Sequence, residues 1–256
     1  MGPVLAIAKL LIKEVVRKKD FYVALILLAV VLVYASRMQF YHVENIVRYL
    51  LEIGLSLIFV LTIILTVSLA ARQVPSELQN RTCQVLLAKP ISRAQFLLGK
   101  FLGACFAGAV VFFTFYLIFL VVAWTKAGSL SPVLALETAY LFLLNLLVIS
   151  SMASALSYFL TLSANVTVTL IVYFLISLYG AVLKQYADTH SWFTAIVAKA
   201  IYYAFPHFEF FDLRQRFIHG WGPVSFKLLV FLTAYSGLYS SIFLLLGWMG
   251  FRKRTL

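Results

Sequence analysis

Residues 138–183 read TAYLFLLNLLVISSMASALSYFLTLSANVTVTLIVYFLISLYGAVL and contain no charged side chain in 46 positions. A helix that spans a membrane needs about 20 predominantly apolar residues, so this stretch is too long for one span and long enough for two. The polar cluster Thr161, Ser163 and Asn165 predicts a tight turn between them. We therefore expect a chain that crosses the membrane repeatedly. The two spans predicted here lie near 137–160 and 165–183.

The composition of the whole chain supports this interpretation. Of the 256 residues, 63% are hydrophobic and 12% are charged, and the mean hydropathy is +0.99. A soluble domain carries about a quarter charged residues, so soluble, disordered and fibrous proteins are excluded. The net charge of +12 would suggest nucleic acid as the partner of a soluble protein. Here Lys and Arg gather at the ends of apolar runs, where they set orientation, so we expect no nucleic-acid partner.

The remaining uncharged runs complete the count of spans. They are long and continuous, whereas the strands of a membrane barrel would alternate over about ten residues. The sequence therefore predicts an all-α polytopic membrane protein, a single transmembrane domain over 1–256 with six helical spans. No small-residue cleavage site follows the first run, so we expect it to be a span and not a cleaved signal peptide. The four further spans are predicted near 20–36, 51–71, 101–124 and 226–250.

The distribution of Lys and Arg predicts the orientation. With six spans, 13 of the 21 basic residues fall on the side that holds both termini and the loop 72–100. The other eight are spread over longer loops. The positive-inside rule places both termini in the cytoplasm, which implies a multi-pass protein of the cell inner membrane.

Two segments outside the spans are predicted to lie at the membrane surface. In residues 4–19, Lys9, Lys13 and Arg17 recur every four positions opposite an apolar stripe, which indicates an amphipathic interfacial helix in contact with lipid. An extended start to the first span is the alternative. Residues 184–225 combine many aromatics with scattered charges and predict short external helices, partly re-entrant around Pro206.

The loop 72–100 carries strong local signals. Residues 76–79, SELQ, have the form of a capping box that begins a helix, and Glu77 and Arg81 have the spacing of an i,i+4 pair. Pro90 predicts the end of this helix, because proline disfavours helical geometry at the residue before it. Residues 92–95, SRAQ, form a second capping box that opens the third span. The loop is thus predicted to be helix, break and helix.

Several kinds of chemistry have no sequence signal. The nearest approach to a phosphate-binding loop ends at Lys100 but has Ala94 where its first glycine should stand. The chain has no HExxH motif, its four histidines are dispersed, and no span contains an acidic pair. We therefore expect no catalytic residue, no metal and no cofactor on this chain, and no ATP hydrolysis by it alone. An energy source would have to be a separate subunit.

The whole loop, RQVPSELQNRTCQVLLAKPISRAQFLLGK at 72–100, resembles the cytoplasmic loop of ABC-2-type transporter permeases. That loop has an acidic residue, a threonine, an apolar pair, then Pro-x-Ser-Arg and a Gly-Lys. The chain departs from it at Arg81, where the family commonly has glycine. The segment 206–213, PHFEFFDL, is similar to one in permeases related to the copper-site maturation transporter of nitrous oxide reductase.

The resemblance implies a set of partners. The loop would form a coupling helix that docks on a cytoplasmic ABC ATPase, with two ATPases, which bind ATP and Mg, beneath two permease subunits. A homodimer is expected, with a periplasmic partner as a further option. The residues expected to couple to the ATPase are Arg72, Glu77, Arg81, Thr82, Leu86, Pro90, Ser92 and Arg93.

Other residues leave alternatives open. Gly99, Gly103 and Ala107 form a line of small residues that lets helices approach closely, either within one subunit or at a dimer seam. Asn165 and the serines of the fourth span would line a polar path or hydrogen-bond to neighbouring helices. A soft or divalent metal is one option for two external groups. These groups are Met38 with His42, and His207 with Glu209 and Asp212.

Two functions fit these observations. The first is the membrane permease subunit of an ATP-binding cassette transporter, an exporter, with a lipidic or amphipathic cargo. The second is an ATP-driven membrane machine that transports nothing and transmits a conformational change to a periplasmic partner or maturation factor. A cavity at the subunit interface would favour the first.

Overall fold

The computed structural model describes residue 17 and residues 19–37, 46–79, 93–127, 130–189 and 206–252. Within these residues the chain forms helices and turns and no strands, which confirms the all-α class. The predicted interfacial helix at 4–19 lies almost entirely outside them. The helices are α1 Lys19–Arg37, α2 Ile46–Gln79, α3 Arg93–Ala127, α4 Pro132–Leu156, α5 Leu162–Thr189, a 3-10 helix Phe208–Phe211, α6 Arg214–His219 and α7 Phe226–Arg252.

Four helices are long and apolar enough to cross a membrane. The apolar part of α5, Leu162–Leu178, is shorter, and α1 has 19 residues. A multi-pass membrane protein is therefore supported, while the count of six spans stays a prediction. The four candidate spans are Val47–Gln73, Ala94–Lys126, Pro132–Leu156 and Phe226–Gly250.

Consecutive long helices run in opposite directions. Gly54 of α2 lies against Phe119 of α3, and Thr66 lies against Gly108, so the two helices are antiparallel. In the same way, α4 and α5 are antiparallel, because the amide of Asn145 donates to Tyr173 and that of Asn165 to Ala153. Helix α7 runs parallel to α4. This alternation is what a chain that crosses a bilayer back and forth requires.

Helix α2 extends further than the sequence predicts. It continues without interruption to Gln79, so the predicted start of a new helix at Ser76 is wrong. Pro75 lies inside α2, where it has no N–H to donate to the carbonyl of Ala71. Glu77 therefore sits near the negative C-terminal end of a helix and not, as predicted, near a positive N-terminal end. The middle of the loop, 80–92, lies outside the described residues.

The boundaries of the next helices follow from polar caps and bonds. Helix α3 begins at Arg93, directly after the predicted capping residue Ser92, which is itself outside the described residues. The turn between α4 and α5 falls at residues 157–161, somewhat earlier than predicted. Asn165 belongs to α5, where its backbone N–H bonds to the carbonyl of Thr161.

The core lies where α2, α3 and α4 meet. The rings of Phe59 and Phe142 stack with centroids 3.9 Å apart, and Phe112 lies 4.6 Å from Phe142. Close approach of α2 and α3 depends on small residues, because Gly54 and Gly108 lie directly against side chains of the facing helix. The predicted line of small residues is buried on α3 within the single chain. Its members are Gly99, Gly103 and Ala107.

We predict that Gly108→Ala destabilises the bundle by about 1–3 kcal/mol, the usual cost of overpacking. A Cβ at this position would collide with Oγ1 and Cγ2 of Thr66 and would lie 3.2 Å from its Cβ, which cannot move without the backbone. Gly237→Ala is the matched control, since a Cβ there meets nothing within 4 Å and a helical alanine is favoured over glycine. Thermal unfolding in lipid nanodiscs should show a lower midpoint for Gly108→Ala only. Equal midpoints for the two variants would contradict the packing described.

Candidate functional site

The segment before α7 folds into the helix bundle. Its 3-10 helix, Phe208–Phe211, buries the rings at both ends almost completely, and Phe217 and Ile218 of α6 are also buried. Gly220 ends α6 in the left-handed conformation, with φ of 62°. The predicted short helices around Pro206 are therefore present in the described part of the segment, 206–225. They pack against the bundle through their aromatic side chains.

An ion pair anchors this segment to α2. The guanidinium of Arg214 donates to both carboxylate oxygens of Asp212, with an Nη2–Oδ2 distance of 2.6 Å. The same guanidinium donates from Nη1 to Ser56 Oγ at 2.9 Å and lies 5.7 Å from the ring centroid of Phe59. Hydrogen bonding to Asp212 raises the pKa of Arg214 above its usual value. The positive charge of Arg214 thus lies beside Ser56, which is about 15 Å along α2 from the first residue of that helix.

Beneath the ion pair lies a cavity of about 260 Å³, here named the ion-pair cavity. Helices α2, α4 and α5 form its walls. The amide of Asn145 and the hydroxyl of Tyr173 are buried in its lining, and Nδ2 of Asn145 donates to the tyrosine oxygen at 3.1 Å. The cavity is lined by Phe59, Val60, Ile63, Asn145, Tyr173, Phe174, Ser177, Leu178, Asp212 and Arg214.

A second cavity of about 610 Å³, the Arg72 cavity, lies nearer the other end of the same two helices, α2 and α5. Four of its seven lining residues carry a hydroxyl group, and Nε of Arg72 is buried without a hydrogen-bond partner. Both cavities therefore lie along the side of the bundle formed by α2 and α5, and both contain polar side chains. The lining of the Arg72 cavity is Ser68, Arg72, Thr161, Leu162, Ser163, Val166 and Thr167.

The chain matches the model of one protein family, described as ABC-2 family transporter protein, over residues 5–254. The chain belongs to the ABC-2 family of transporter proteins. It is a membrane permease component of an ABC transporter, and membership implies an ABC ATPase subunit as its partner. No curated protein matches the chain.

The structure places only part of the predicted coupling set of this permease. Arg72 borders the Arg72 cavity, Glu77 lies in the last turn of α2, and Arg93 is the first residue of α3. Their contact with an ATPase stays a prediction. The other predicted residues lie outside the described part of the chain. These are Arg81, Thr82, Leu86, Pro90 and Ser92.

Some polar residues of α4 and α5 in the permease form hydrogen bonds within the bundle. Asn165 donates to the carbonyl of Ala153 at 2.9 Å and accepts from the hydroxyl of Thr169 at 3.0 Å. Ser151 and Ser157 donate to carbonyls one turn earlier in their own chain. Of the two predicted alternatives, Asn165 supports hydrogen bonding to a neighbouring helix, whereas the bonds of Ser151 and Ser157 are local and decide between neither.

Two of the residues considered as metal ligands have other side-chain partners. Nδ1 of His207 lies 3.3 Å from the hydroxyl of Tyr235, and Asp212 pairs with Arg214. Within the described residues, no three His, Cys, Asp or Glu side chains are grouped closely enough to hold a metal ion. Met38 and His42 lie outside the described residues.

The ion-pair cavity is the part of the permease that sequence reasoning missed. Spans without charge suggested that no charge reaches membrane depth, yet Arg214 reaches Ser56 from a separate segment. Asn145 carried a usable signal, because an amide in the middle of an apolar run needs a partner or a function. Tyr173 and Phe59 were indistinguishable in sequence from aromatics that face lipid.

We predict that Arg214→Gln loosens residues 206–219 from α2, because the carboxylate of Asp212 and the hydroxyl of Ser56 lose their donor. The expected cost is about 2 kcal/mol, the typical worth of hydrogen bonds to a charged group. Arg216→Gln is the matched control, since within the described residues Arg216 donates to the carbonyl of Gly222 alone, at 3.2 Å. Hydrogen exchange of 206–219 should accelerate in the first variant and stay near wild type in the second.

A double variant checks the assignment to the pair. If the ion pair carries the effect, Asp212→Asn combined with Arg214→Gln costs less than the sum of the single changes. Strict additivity would show that the two side chains act independently.

Proposed function

We propose that this permease is the membrane subunit of an ATP-driven exporter, in which two copies of the chain pair above two cytoplasmic ATPases. The cargo is lipidic or amphipathic, and both termini face the cytoplasm of the inner membrane. Family membership supports the permease role. The excess of Lys and Arg on one side supports the orientation.

Helix α2 is the observation that carries the proposal. With 34 residues it is about 51 Å long, whereas the hydrocarbon core of a bilayer is about 30 Å thick. It lines both cavities, through Phe59 in one and Arg72 in the other, and its end leads into the loop 80–92. A displacement of that loop by an ATPase would therefore move one wall of each cavity.

In this proposal, ATP hydrolysis by the ATPase subunits supplies the energy for the motion of α2. The chain offers no phosphate-binding loop, so ATP and Mg belong to the ATPase subunits. Glu77, near the end of α2, and Arg93, at the start of α3, flank the loop on its two sides. Charged side chains at these positions suit an interface whose orientation is set by electrostatic complementarity.

A second permease copy would pack through the spans near the first, second and fifth, and would cover the α2 and α5 side of the bundle. The side chains of Ile171, Leu175 and Leu178 on α5 are each at least half exposed in the single chain, as is Tyr49 on α2. A homodimer with two-fold symmetry would bury these side chains against the same surface of the second copy, as in most homo-oligomers. The cavities would then lie beside the seam, where a cargo path is expected.

A second function has a specific observation in its favour. The segment 206–225 is tied to α2 by the bond from Arg214 to Ser56. A movement of α2 would therefore also move an external surface, which is what force transmission to a periplasmic partner needs. The resemblance of 206–213 to the nitrous oxide reductase maturation permease points the same way. Substrate-dependent ATPase activity would favour export, and partner-dependent activity without transport would favour transmission.

We predict that Glu77→Lys inserts and folds normally but loses association with the ATPase. A lysine near the C-terminal end of α2 suits the helix dipole, so the fold should lose nothing. Like charges brought together at the docking surface would cost several kcal/mol. Copurification with the ATPase and stimulated ATP hydrolysis measure the effect, and the permease alone should hydrolyse nothing.

Glu52→Lys provides the control, because it reverses the same charge at the opposite end of α2. It should keep the ATPase bound. The coupling hypothesis fails if Glu77→Lys copurifies and turns over like wild type, or if its only effect is loss of protein from the membrane.

We predict that Leu175→Cys, in a background lacking Cys83 and Cys105, forms disulfide-linked permease dimers. Leu175 is about half exposed on α5, in the face assigned to the seam. Leu245→Cys on α7 is the control, since its side chain is at least as exposed but lies on a helix outside the face assigned to the seam. Non-reducing gels of membranes should show the dimer for α5 only. Equal yields, or an active unit with a single permease, would refute the arrangement.

A further inference from the structure

We propose that the Arg72 cavity is a binding site for a phosphate group, with the guanidinium of Arg72 on one wall and the first turn of α5 on the other. The phosphate belongs to an anionic lipid headgroup or is free phosphate, two sources that share this chemistry. The site is separate from the ion-pair cavity, and the inference concerns a resident ligand and not a transported one. It rests on the charge, the hydroxyl groups and the helix terminus that border the cavity.

Arg72 brings an uncompensated positive charge to the cavity. Among the described side chains that have a buried polar atom without a hydrogen-bond partner, it is the charged one. By contrast Arg214, which lines the other cavity, is paired with Asp212. Nε of Arg72 is enclosed by protein, so a ligand would be contacted by the terminal nitrogens Nη1 and Nη2. A guanidinium presents its N–H groups in the geometry that phosphate oxygens accept.

Hydroxyl groups on both walls accompany this charge. Ser68 and Arg72 line the cavity from α2, and Ser163 and Thr167 line it from α5. Each pair is four residues apart, so its members share one face of their helix. Within the described residues the three hydroxyls have no hydrogen-bond partner, whereas that of Thr169, further along α5, donates to an amide. Serine and threonine hydroxyls are common donors to phosphate oxygens.

The first turn of α5 adds backbone donors. Asn165 is the first residue of this helix whose N–H bonds to a backbone carbonyl, that of Thr161. Leu162 and Ser163 come before it and line the cavity, and their N–H groups have no carbonyl one turn earlier in the helix. Such N–H groups and the aligned peptide dipoles favour an anion. A phosphate between them and Arg72 would hold the end of α2 against the start of α5.

The position of Arg72 along α2 suits a phosphate ligand. Arg72 is the last residue but one of the candidate span Val47–Gln73. A helix of 27 residues is about 40 Å long, close to the thickness of a bilayer with its headgroups. The guanidinium therefore lies at the level where lipid phosphates meet water. The cavity volume of about 610 Å³ leaves space for the molecule that carries the phosphate.

Native mass spectrometry with two matched lipids tests the proposal. The full-length permease, without ATPase or nucleotide, is exchanged into a maltoside detergent, which contains no phosphate. It is titrated with dioleoyl phosphatidylglycerol or with dioleoylglycerol, which has the same chains and lacks the phosphate. We expect phosphatidylglycerol to saturate at one molecule per chain, at about tenfold lower concentration than dioleoylglycerol, because only the first lipid uses the charged donor.

Inorganic phosphate identifies the source of the group. Thermal unfolding of the same sample is followed in sodium phosphate and in sodium chloride of equal ionic strength. A ligand that binds the folded state raises the unfolding midpoint. A higher midpoint in phosphate that is lost in Arg72→Gln assigns the site to free phosphate. An unchanged midpoint together with saturable phosphatidylglycerol binding assigns it to a lipid headgroup.

Three variants sharpen the test. Arg72→Gln should weaken phosphatidylglycerol binding about tenfold and leave dioleoylglycerol binding unchanged. Arg252→Gln is the matched control, since it removes the same charge at the end of α7, which runs parallel to α4 and so ends at the same face of the bundle. It should bind like wild type. Thr167→Val keeps the shape of the side chain and should weaken binding about threefold, because one hydroxyl is lost.

Several results would overturn the proposal. Equal binding of the two lipids, with equal midpoints in phosphate and chloride, would show that no phosphate is recognised. Equal losses in Arg72→Gln and Arg252→Gln would show attraction to the net charge of that face alone. Unchanged binding in Arg72→Gln would leave Arg72 as an interfacial anchor. If Arg72→Gln fails to fold, the lipid pair and Thr167→Val still decide.

The test is independent of the proposed function. No ATPase and no nucleotide are present, so none of these results bears on export or on the expected contact of Arg72 with the ATPase. The Glu77→Lys variant measures that contact, and its loss of ATPase binding would leave the lipid titration unchanged.

Discussion

Hydrocarbon accepts neither an unpaired backbone group nor an isolated charge, and this constraint shapes every part of the permease. It forces the apolar runs into uninterrupted helices whose hydrogen bonds close internally. It also explains why the charge of Arg214 enters the bundle together with a partner. Arg214 reaches α2 only together with Asp212, which accepts three hydrogen bonds from its guanidinium. The low polarity of the hydrocarbon thus favours both the paired charge and the long unbroken helices.

The same constraint ties the cavities to the coupling loop. Because α2 cannot break within the bilayer, it connects Ser56 at one end to Arg72 near the other as a single rod. The rod is packed against α3 through Gly54 and Gly108, so the two helices form a stiff hairpin about 50 Å long. Only small residues at these contacts let the backbones approach so closely. A displacement of the packed part of this hairpin would be transmitted along that part.

The sequence predicts the parts of the fold that depend on hydropathy and misses those that depend on tertiary contacts. Charge-free runs locate each long helix, and the capping box at 92–95 predicts the residue at which α3 begins. The capping box at 76–79 fails, since the helix before it simply continues through Pro75. Local signals allow a helix start there without requiring one. The ion-pair cavity was beyond reach, because it brings together residues as far apart as Phe59 and Arg214.

Pro75 has a consequence for the mechanics of the permease. A proline inside a helix removes one hydrogen bond and crowds the preceding turn, and sharp bends in helices concentrate at such positions. In α2 it stands three residues beyond Arg72, between the packed part of the helix and the loop. The rod therefore has a compliant joint at the boundary of the bundle. A movement of the loop would therefore bend α2 at Pro75 more readily than within its packed part. Helix α3, which contains no proline, would carry the same movement into the bundle more directly.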